Sequence, residues 1–473
     1  MFIPNSLDID EIFEDLSKII GKENVISDLS TRIIYAQDPM PYELEEHNIP
    51  ILVVRPACAE EVSKILKYAN EKNIPVHVRG AGTSLVGVAR PKTNAILIDL
   101  KRMSNIKVYP DRGYFEAGPG ARLWKVREEL AKYNSILPAF PGSERVATLG
   151  GVISSNTSAH AVDAALGKPG DFVLGLEIVL PTGEIIETGT ESTRRPAGIE
   201  LTKLFIGGEG LFGIITKIRM RLVPGIYVKN LVAYYKDVDT ILSTVVDMYR
   251  NMVPPPLFFE FVDENAAKVG FEAVGLDEPP GPVVMITMHD WVEEGVNEKA
   301  KIFLNFLKSK DIIKAKIVED EDEWRKIWRS RSEVGNFLNR KGVVAGSEIS
   351  PRIDKLKDAY YEAKDLKNKL EAYKTPQFFS FGHIGAPTIH ANYLIPFEVS
   401  NDVRKKFVIE VRMKTEEINI KYGGCGGEWG LTAQRIDFIK KKYGKVYYET
   451  LKKIKAVLDP NNILNRGNLE GWW

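Results

Sequence analysis

Arg79-Gly80-Ala81-Gly82-Thr83-Ser84-Leu85-Val86-Gly87 is the stretch on which the reading of this chain turns. The run 72–78 ahead of it is strand-like, and the run itself mixes three glycines with two hydroxyls and an arginine. Glycine adopts positive φ without penalty and lets a ligand approach the main chain. Successive N–H groups in such a turn make a concave anion site, to which Thr83, Ser84 and Arg79 add. A diphosphate suits such a site. The spacing, G-x-G-x-x-x-x-G with no evident helix after it, is not a Rossmann fingerprint. Taken alone, the loop reads equally as a tight turn that binds nothing. The rest of the chain decides.

A length of 473 residues predicts two or three domains with ample core. Lys plus Arg equals Asp plus Glu at 64 each, which argues against nucleic acid or an anionic membrane as the main partner. The two cysteines, Cys58 and Cys425, form no Cys-x-x-Cys motif, so a zinc ribbon or an iron–sulfur cluster held by this chain alone is not expected. Few cysteines suit a reducing compartment. The acidic start (Asp8, Asp10, Glu11, Glu14, Asp15) does not read as a signal peptide, and no apolar run reaches the length of a membrane span. A cytoplasmic location is expected.

Residues 6–20 read as an amphipathic helix, capped by Ser6 or Asp8 and closed by Gly21. Runs 51–56, 76–78 and 95–100 read as strands around a helix at 60–72, a β-α-β opening; 121–134 reads as helix. A second glycine-rich zone covers 141–156 and a third 207–216. Strands are expected at 173–180 and 218–223, and Pro224-Gly225 is a natural boundary. Beyond it, strands at 232–235 and 283–288 alternate with helices at 237–251 and 297–309, the order of an α+β region with an antiparallel sheet. Runs 353–372, 399–422 and 443–457 read as helices, and 319–323 as a solvated acidic patch without function.

These zones resemble the FAD-linked oxidoreductases of the vanillyl-alcohol oxidase and p-cresol methylhydroxylase superfamily. The branch is that of D-lactate, glycolate and D-2-hydroxyglutarate dehydrogenases. In that family Arg-Gly-x-Gly-Thr-Ser-x-x-Gly wraps the FAD diphosphate, matched by Arg79, Gly80, Ala81, Gly82, Thr83, Ser84 and Gly87. A Pro-Gly-Ser element and a Thr-x-Gly-Gly lie along the flavin, matched by Pro141, Gly142, Ser143, Thr148, Gly150 and Gly151, with Ser154 just beyond. A Gly-x-Glu-Gly-x-x-Gly-Ile-Ile-Thr segment near the adenosine is matched at Glu209, Gly210, Gly213, Ile214 and Ile215. The tail 458–465, ending at Asn465, is similar to the family's closing segment. No histidine lies in the first loop, where some relatives attach flavin covalently, so non-covalent FAD is expected. The fold implied is α+β. A helical segment (1–48) precedes a two-lobed PCMH-type FAD-binding domain (49–225). A substrate or cap domain with an antiparallel sheet (226–432) follows, then a C-terminal segment (433–473) that returns to the FAD domain.

The second half carries its own resemblance. Residues 382–392, Gly-His-Ile-Gly-Ala-Pro-Thr-Ile-His-Ala-Asn, are similar to the family's Gly-His-x-Gly-Asp-Gly-Asn-x-His-x-Asn, and 426–430, Gly-Gly-Glu-Trp-Gly, to Ser-Gly-Glu-His-Gly. The resemblance makes His383, His390 and Glu428 ligands of a divalent metal beside the flavin. Two imidazoles and a carboxylate suit Zn²⁺, Mn²⁺ or Fe²⁺. Trp328 to Arg331 resembles a Trp-x-x-Arg whose arginine clamps the substrate carboxylate. Arg325 and Arg329 nearby leave open the alternative of a surface arginine on a charged helix.

The departures bear on mechanism. Where relatives place a proton-accepting histidine after the glutamate, this chain has Trp429, whose indole only donates. General-base catalysis contributes roughly 10²–10⁴ in rate. Ala386-Pro387-Thr388 replaces Asp-Gly-Asn, and no lysine stands at 345–347. His160, where many relatives have Ala-Gly-Gly, reads as a substitute base or as a plain polar residue at the flavin edge. Three functions stay open. One is a dehydrogenase of a small 2-hydroxy acid that passes electrons to a protein or quinone. Another is an electron-transfer subunit docked to an iron–sulfur or electron-transfer-flavoprotein partner. The last is a transferase like the alkyl-glycerone-phosphate synthases, whose histidine-rich stretch is absent. The dehydrogenase is the expectation, and self-association is compatible with it.

Overall fold

The structure, a computed structural model, describes residues 8–40, 44–158, 160, 162–192, 198–373, 376–426, 428, 430 and 435–470. The chain divides into two compact units. The first comprises 1–157, 168–223 and 429–473, and the second 158–167 and 224–428.

The first unit opens with the helix Ile9–Ile20, which Asp8 caps at Asp10 N and Gly21 ends at φ 83°. Its inward face, Ile12, Leu16 and Ile20, joins a core with Val62, Ile65 and Leu66 of the helix Ala59–Glu71. Strands Leu52–Val54, Ile96–Asp99 and Val76–Arg79 run parallel in that order, with Val25–Ile26 antiparallel at one edge. Strands buried on both faces need no polar alternation, which is why they read as short apolar runs. A second, antiparallel sheet is ordered Ile106–Tyr109, Tyr114–Ala117, Ile214–Arg221, Val173–Val179, Ile185–Gly189. The third glycine zone therefore ends inside a sheet: Ile214 and Ile215 pair with Val179 and Ile178.

The second unit is built on a seven-stranded antiparallel sheet. Its order is Ile312–Val318, Tyr227–Tyr235, Val283–Asp290, Phe258–Val262, Gln377–His383, Thr388–Ile395, Val343–Ile349. Helices Val238–Arg250, Glu264–Ala273, Glu293–Lys308, Glu321–Lys341, Leu356–Leu366 and Asn401–Lys421 accompany it. The expected helix over 353–372 is instead three pieces: a 3₁₀ turn Ile353–Lys355, the α-helix Leu356–Leu366 and a 3₁₀ run Lys367–Tyr373 that departs from helical geometry at Leu370. The acidic patch over 319–323 has a job. Asp320 caps the helix Glu321–Lys341 at Asp322 and Glu323 N, and the acidic first turn complements the helix dipole. No helix among the described residues is long and apolar enough to cross a membrane.

Candidate functional site

In the first unit the three glycine zones meet. A Cβ on Gly80 would come within 2.5 Å of Thr148 Oγ1, so only glycine lets the first loop lie against the second. Thr148 caps the short helix Leu149–Ser155, and Gly150 sits so close to Pro119 that a Cβ would fall 2.5 Å from its ring. Glu209 N donates to Ser154 O at 2.8 Å, tying the third zone to the second. Asn465 closes the ring: its Oδ1 accepts from Val78 N at 3.0 Å and its Nδ2 donates to Glu209 O at 2.8 Å. Left-handed backbone occurs here at Gly82, Gly87, Asn156, Gly207, Glu209, Gly210 and Asn465. Asparagine tolerates this region, so among the non-glycine residues it is Glu209, at φ 50°, whose backbone the surroundings must impose. The cradle therefore fits a long dinucleotide.

Not every matched residue faces outward. Arg79 turns back under its own loop, Nη1 donating to Tyr35 O at 3.0 Å and Ala89 O at 3.1 Å. Ser84 Oγ accepts from Val86 N, and Ser143 O from Val146 and Ala147 N, so both shape turns. Gly213 packs on Ile178. Ala81, Thr83, Pro141 and Gly151 lie on the partly exposed loops and helix end, and Gly142 meets nothing within 4 Å.

The second unit gathers the chemistry on one face of its sheet. Glu260 and His383 are direct cross-strand partners, as are Phe381 and His390, and Glu348 and His390. Residues two apart on a strand share a face. His383 Nδ1 hydrogen-bonds Glu260 Oε1, which fixes the tautomer and turns the Nε2 lone pair the other way. That Nε2 lies 3.1 Å from His390 Nε2 and 3.4 Å from Glu428 Oε1, and His390 Nε2 lies 3.9 Å from Glu428 Oε2. The three donors face one another within 4.8 Å. Burial pushes His383 down to about 4 and His390 well below the usual imidazole range, so both rings are neutral at pH 7. Burial, with Glu348 close by, pushes Glu428 well above the usual carboxylate range. Glu348 holds the Glu428 loop by accepting its backbone N–H at 3.2 Å. Two neutral imidazoles and a desolvated carboxyl oriented by outer partners fit a divalent cation.

Glu260 is the hub that sequence reading missed. It is 0% exposed, and Arg331 Nε donates to its Oε2 at 2.8 Å. Burial opposes its ionisation, but His383 and Arg331 outweigh that and hold it well below the usual carboxylate range. A lone acid in the apolar strand Phe258–Val262 was the available signal. Arg331 is not a surface arginine: it is 12% exposed, whereas Arg325 and Arg329 are 72% and 68% exposed and pair with Asp322 and Glu333. His160, at φ 49°, sets its Nδ1 3.5 Å from Glu260 Oε1, with its ring edge-on to His383, Phe258 and Trp328. Trp429 lies outside the described residues.

Solved structures with this fold include p-cresol methylhydroxylase (TM-score 0.79, 18% identity, 98% of this chain and 96% of that one). Alkyldihydroxyacetonephosphate synthase is another (TM-score 0.74, 17% identity, 98% and 86%). The architecture is that of the PCMH-type flavin oxidases. Residues 50–189 match the FAD binding domain family and residues 227–469 the C-terminal domain of FAD linked oxidases. Similar curated proteins are the D-lactate dehydrogenase of Archaeoglobus fulgidus (30% identity, 88% of this chain, 91% of the relative) and the glycolate oxidase subunit GlcD of Bacillus subtilis (27%, 97% and 96%). The chain belongs to the FAD-linked oxidases, within their hydroxy-acid dehydrogenase branch.

Proposed function

We propose that this protein oxidises a small 2-hydroxy acid to the 2-oxo acid, like the D-lactate and glycolate enzymes it resembles. The carrying observation is the buried Arg331–Glu260–His383 chain beside His390 and Glu428. The cradle would hold FAD without a covalent bond, and the flavin would supply the acceptor for the C2 hydride and a path for two electrons to a protein or quinone acceptor. His383, His390 and Glu428 would hold a Zn²⁺, Mn²⁺ or Fe²⁺ ion, which lowers the pKa of the substrate hydroxyl. Arg331 anchors the substrate carboxylate through Nη2, which is buried and without a partner, while Glu260 fixes the guanidinium through Nε. Trp429 cannot accept the hydroxyl proton. His160 takes it instead at Nε2, and the Glu260 carboxylate 3.5 Å from its Nδ1 balances the imidazolium that forms.

Anaerobic addition of D-lactate, glycolate or D-2-hydroxyglutarate to the purified yellow protein tests this reading: at least one bleaches the flavin, and His160→Gln slows that bleaching by roughly 10²-fold or more. Trp429 favours one competitor, a flavin electron-transfer subunit without hydroxy-acid chemistry. No bleaching by any acid, with an iron–sulfur or electron-transfer-flavoprotein partner co-purifying, selects that competitor.

A further inference from the structure

We infer that the acid is a monocarboxylate with an apolar side chain of branched-alkyl or aryl size, not a dicarboxylate; this rests on the hydroxy-acid reading above. Charge comes first. Arg331 is the cation whose field acts on Glu260, His383, His390 and Glu428 alike. Among the described residues no lysine pairs with any of these four. Arg331 commits Nε to Glu260 and keeps the buried Nη2 for one further anion. A first carboxylate is thereby matched. A second would be desolvated among Glu260, Glu348 and Glu428, and among the described residues no further side-chain cation pairs with this cluster to meet it, which is unfavourable.

Shape comes second. Phe381 lies under the Arg331 guanidinium at 4.7 Å; His160 meets Phe258 and Trp328 edge to face and those two rings are tilted on each other, with centroids 5.3–5.6 Å apart. Trp324 extends the row from Trp328 at 5.7 Å. Each of these rings is only partly buried, so the second unit keeps apolar surface uncovered beside its anion anchor. An apolar substituent placed on that surface is removed from water, whereas a charged one loses hydration and gains nothing. One or two added methylenes change discrimination by roughly 10–200-fold in an apolar site.

The test is anaerobic stopped-flow reduction of the full-length holoprotein by the D enantiomers of lactate, 2-hydroxy-4-methylvalerate, 3-phenyllactate, malate and 2-hydroxyglutarate. The branched or aryl acid should exceed lactate about tenfold in second-order rate constant, and both diacids should fall about 100-fold below it. Trp328→Ala should shrink the phenyllactate-to-lactate ratio about tenfold, with flavin content confirming that the variant is folded. A diacid that equals phenyllactate, or lactate as the best substrate, overturns the inference and leaves the dehydrogenase reading standing. Reduction by dithionite but by none of the acids removes that reading, and this inference with it.

Discussion

Glu260 shows how one buried carboxylate can organise a site. Its two oxygens serve Arg331 on one side and His383 on the other, so the arginine cannot swing and the imidazole cannot flip. Glu260→Gln keeps the shape and removes the charge. Outer partners of metal ligands typically matter roughly 10–100-fold in affinity. The expected result is a loss of that size in Zn²⁺ or Mn²⁺ affinity, measured on dialysed protein, with flavin content unchanged. Unaltered metal affinity would reduce Glu260 to a counter-ion of Arg331. Asp263, on the same strand's exit, gives a different prediction. It caps the helix Glu264–Ala273 at Ala266 N and accepts from both Ser380 N and Ser380 Oγ. Burial nevertheless pushes it up to about 6. A carboxyl raised in the folded state binds its proton more tightly there than in the unfolded chain. Its contribution is complete below about pH 4 and is lost as pH rises through about 6. In urea unfolding across that window, the stability of the parent relative to Asp263→Asn should fall on the order of 3 kcal/mol as pH rises.

At the scale of elements, the glycines separate into those the fold needs and those it does not. A β-carbon on Gly150 would fall 2.5–2.8 Å from Pro119 backbone and ring atoms, none of which can move aside. Gly150→Ala should therefore cost about 1–3 kcal/mol in thermal or chemical unfolding. Gly142 has open space where its Cβ would be. Gly142→Ala should fold like the parent, within about 0.5 kcal/mol. If the family resemblance at 141–143 holds, the variant still loses flavin affinity about tenfold, read by fluorescence of released FAD. Unchanged flavin binding would remove Gly142 from the cradle. The same elements show what could be read in advance. Helices such as Ile9–Ile20 carried period and caps together, Asp8 at one end and Gly21 at the other. The hairpin Gln377–His383 and Thr388–Ile395 was recognised by its motif but not as paired strands. Its residues are largely buried on both faces, so polar and apolar positions do not alternate. His383, His390 and Arg331 stood out because they fall in segments that resemble the family's motifs. Glu260 and Glu348 did not, because their importance arises from pairings between strands far apart in sequence.

At the scale of the whole chain, the first unit is completed only by its last residues. Ile463 O accepts from Val76 N and Val76 O from Asn465 N, so the tail adds a parallel bridge beside the strand that feeds the first glycine loop. Ile463 and Leu464 are fully buried in that unit's core, and burying each contributes about 1.5–3 kcal/mol. Lys455 donates to Leu211 O, Leu464 O and Asp459, all out of water. Removing the aspartate from such a pair costs about 3–5 kcal/mol, because the ammonium stays buried without its partner. Ending the chain after Leu458 deletes all of these at once, a loss comparable with the entire stability of an ordinary domain, about 5–15 kcal/mol. The truncated protein should be recovered insoluble or colourless. Asn465→Ala is the graded version. It removes the two hydrogen bonds that join Val78 to Glu209 and puts alanine, which tolerates the left-handed region less well than asparagine, at φ 48°. A loss of about 2 kcal/mol is expected, visible in urea unfolding followed by flavin fluorescence. Asn465→Gly, free of the backbone strain, should recover part of it. A truncated chain that stays soluble, yellow and as resistant to urea as the parent would show that the tail only decorates a unit already complete without it.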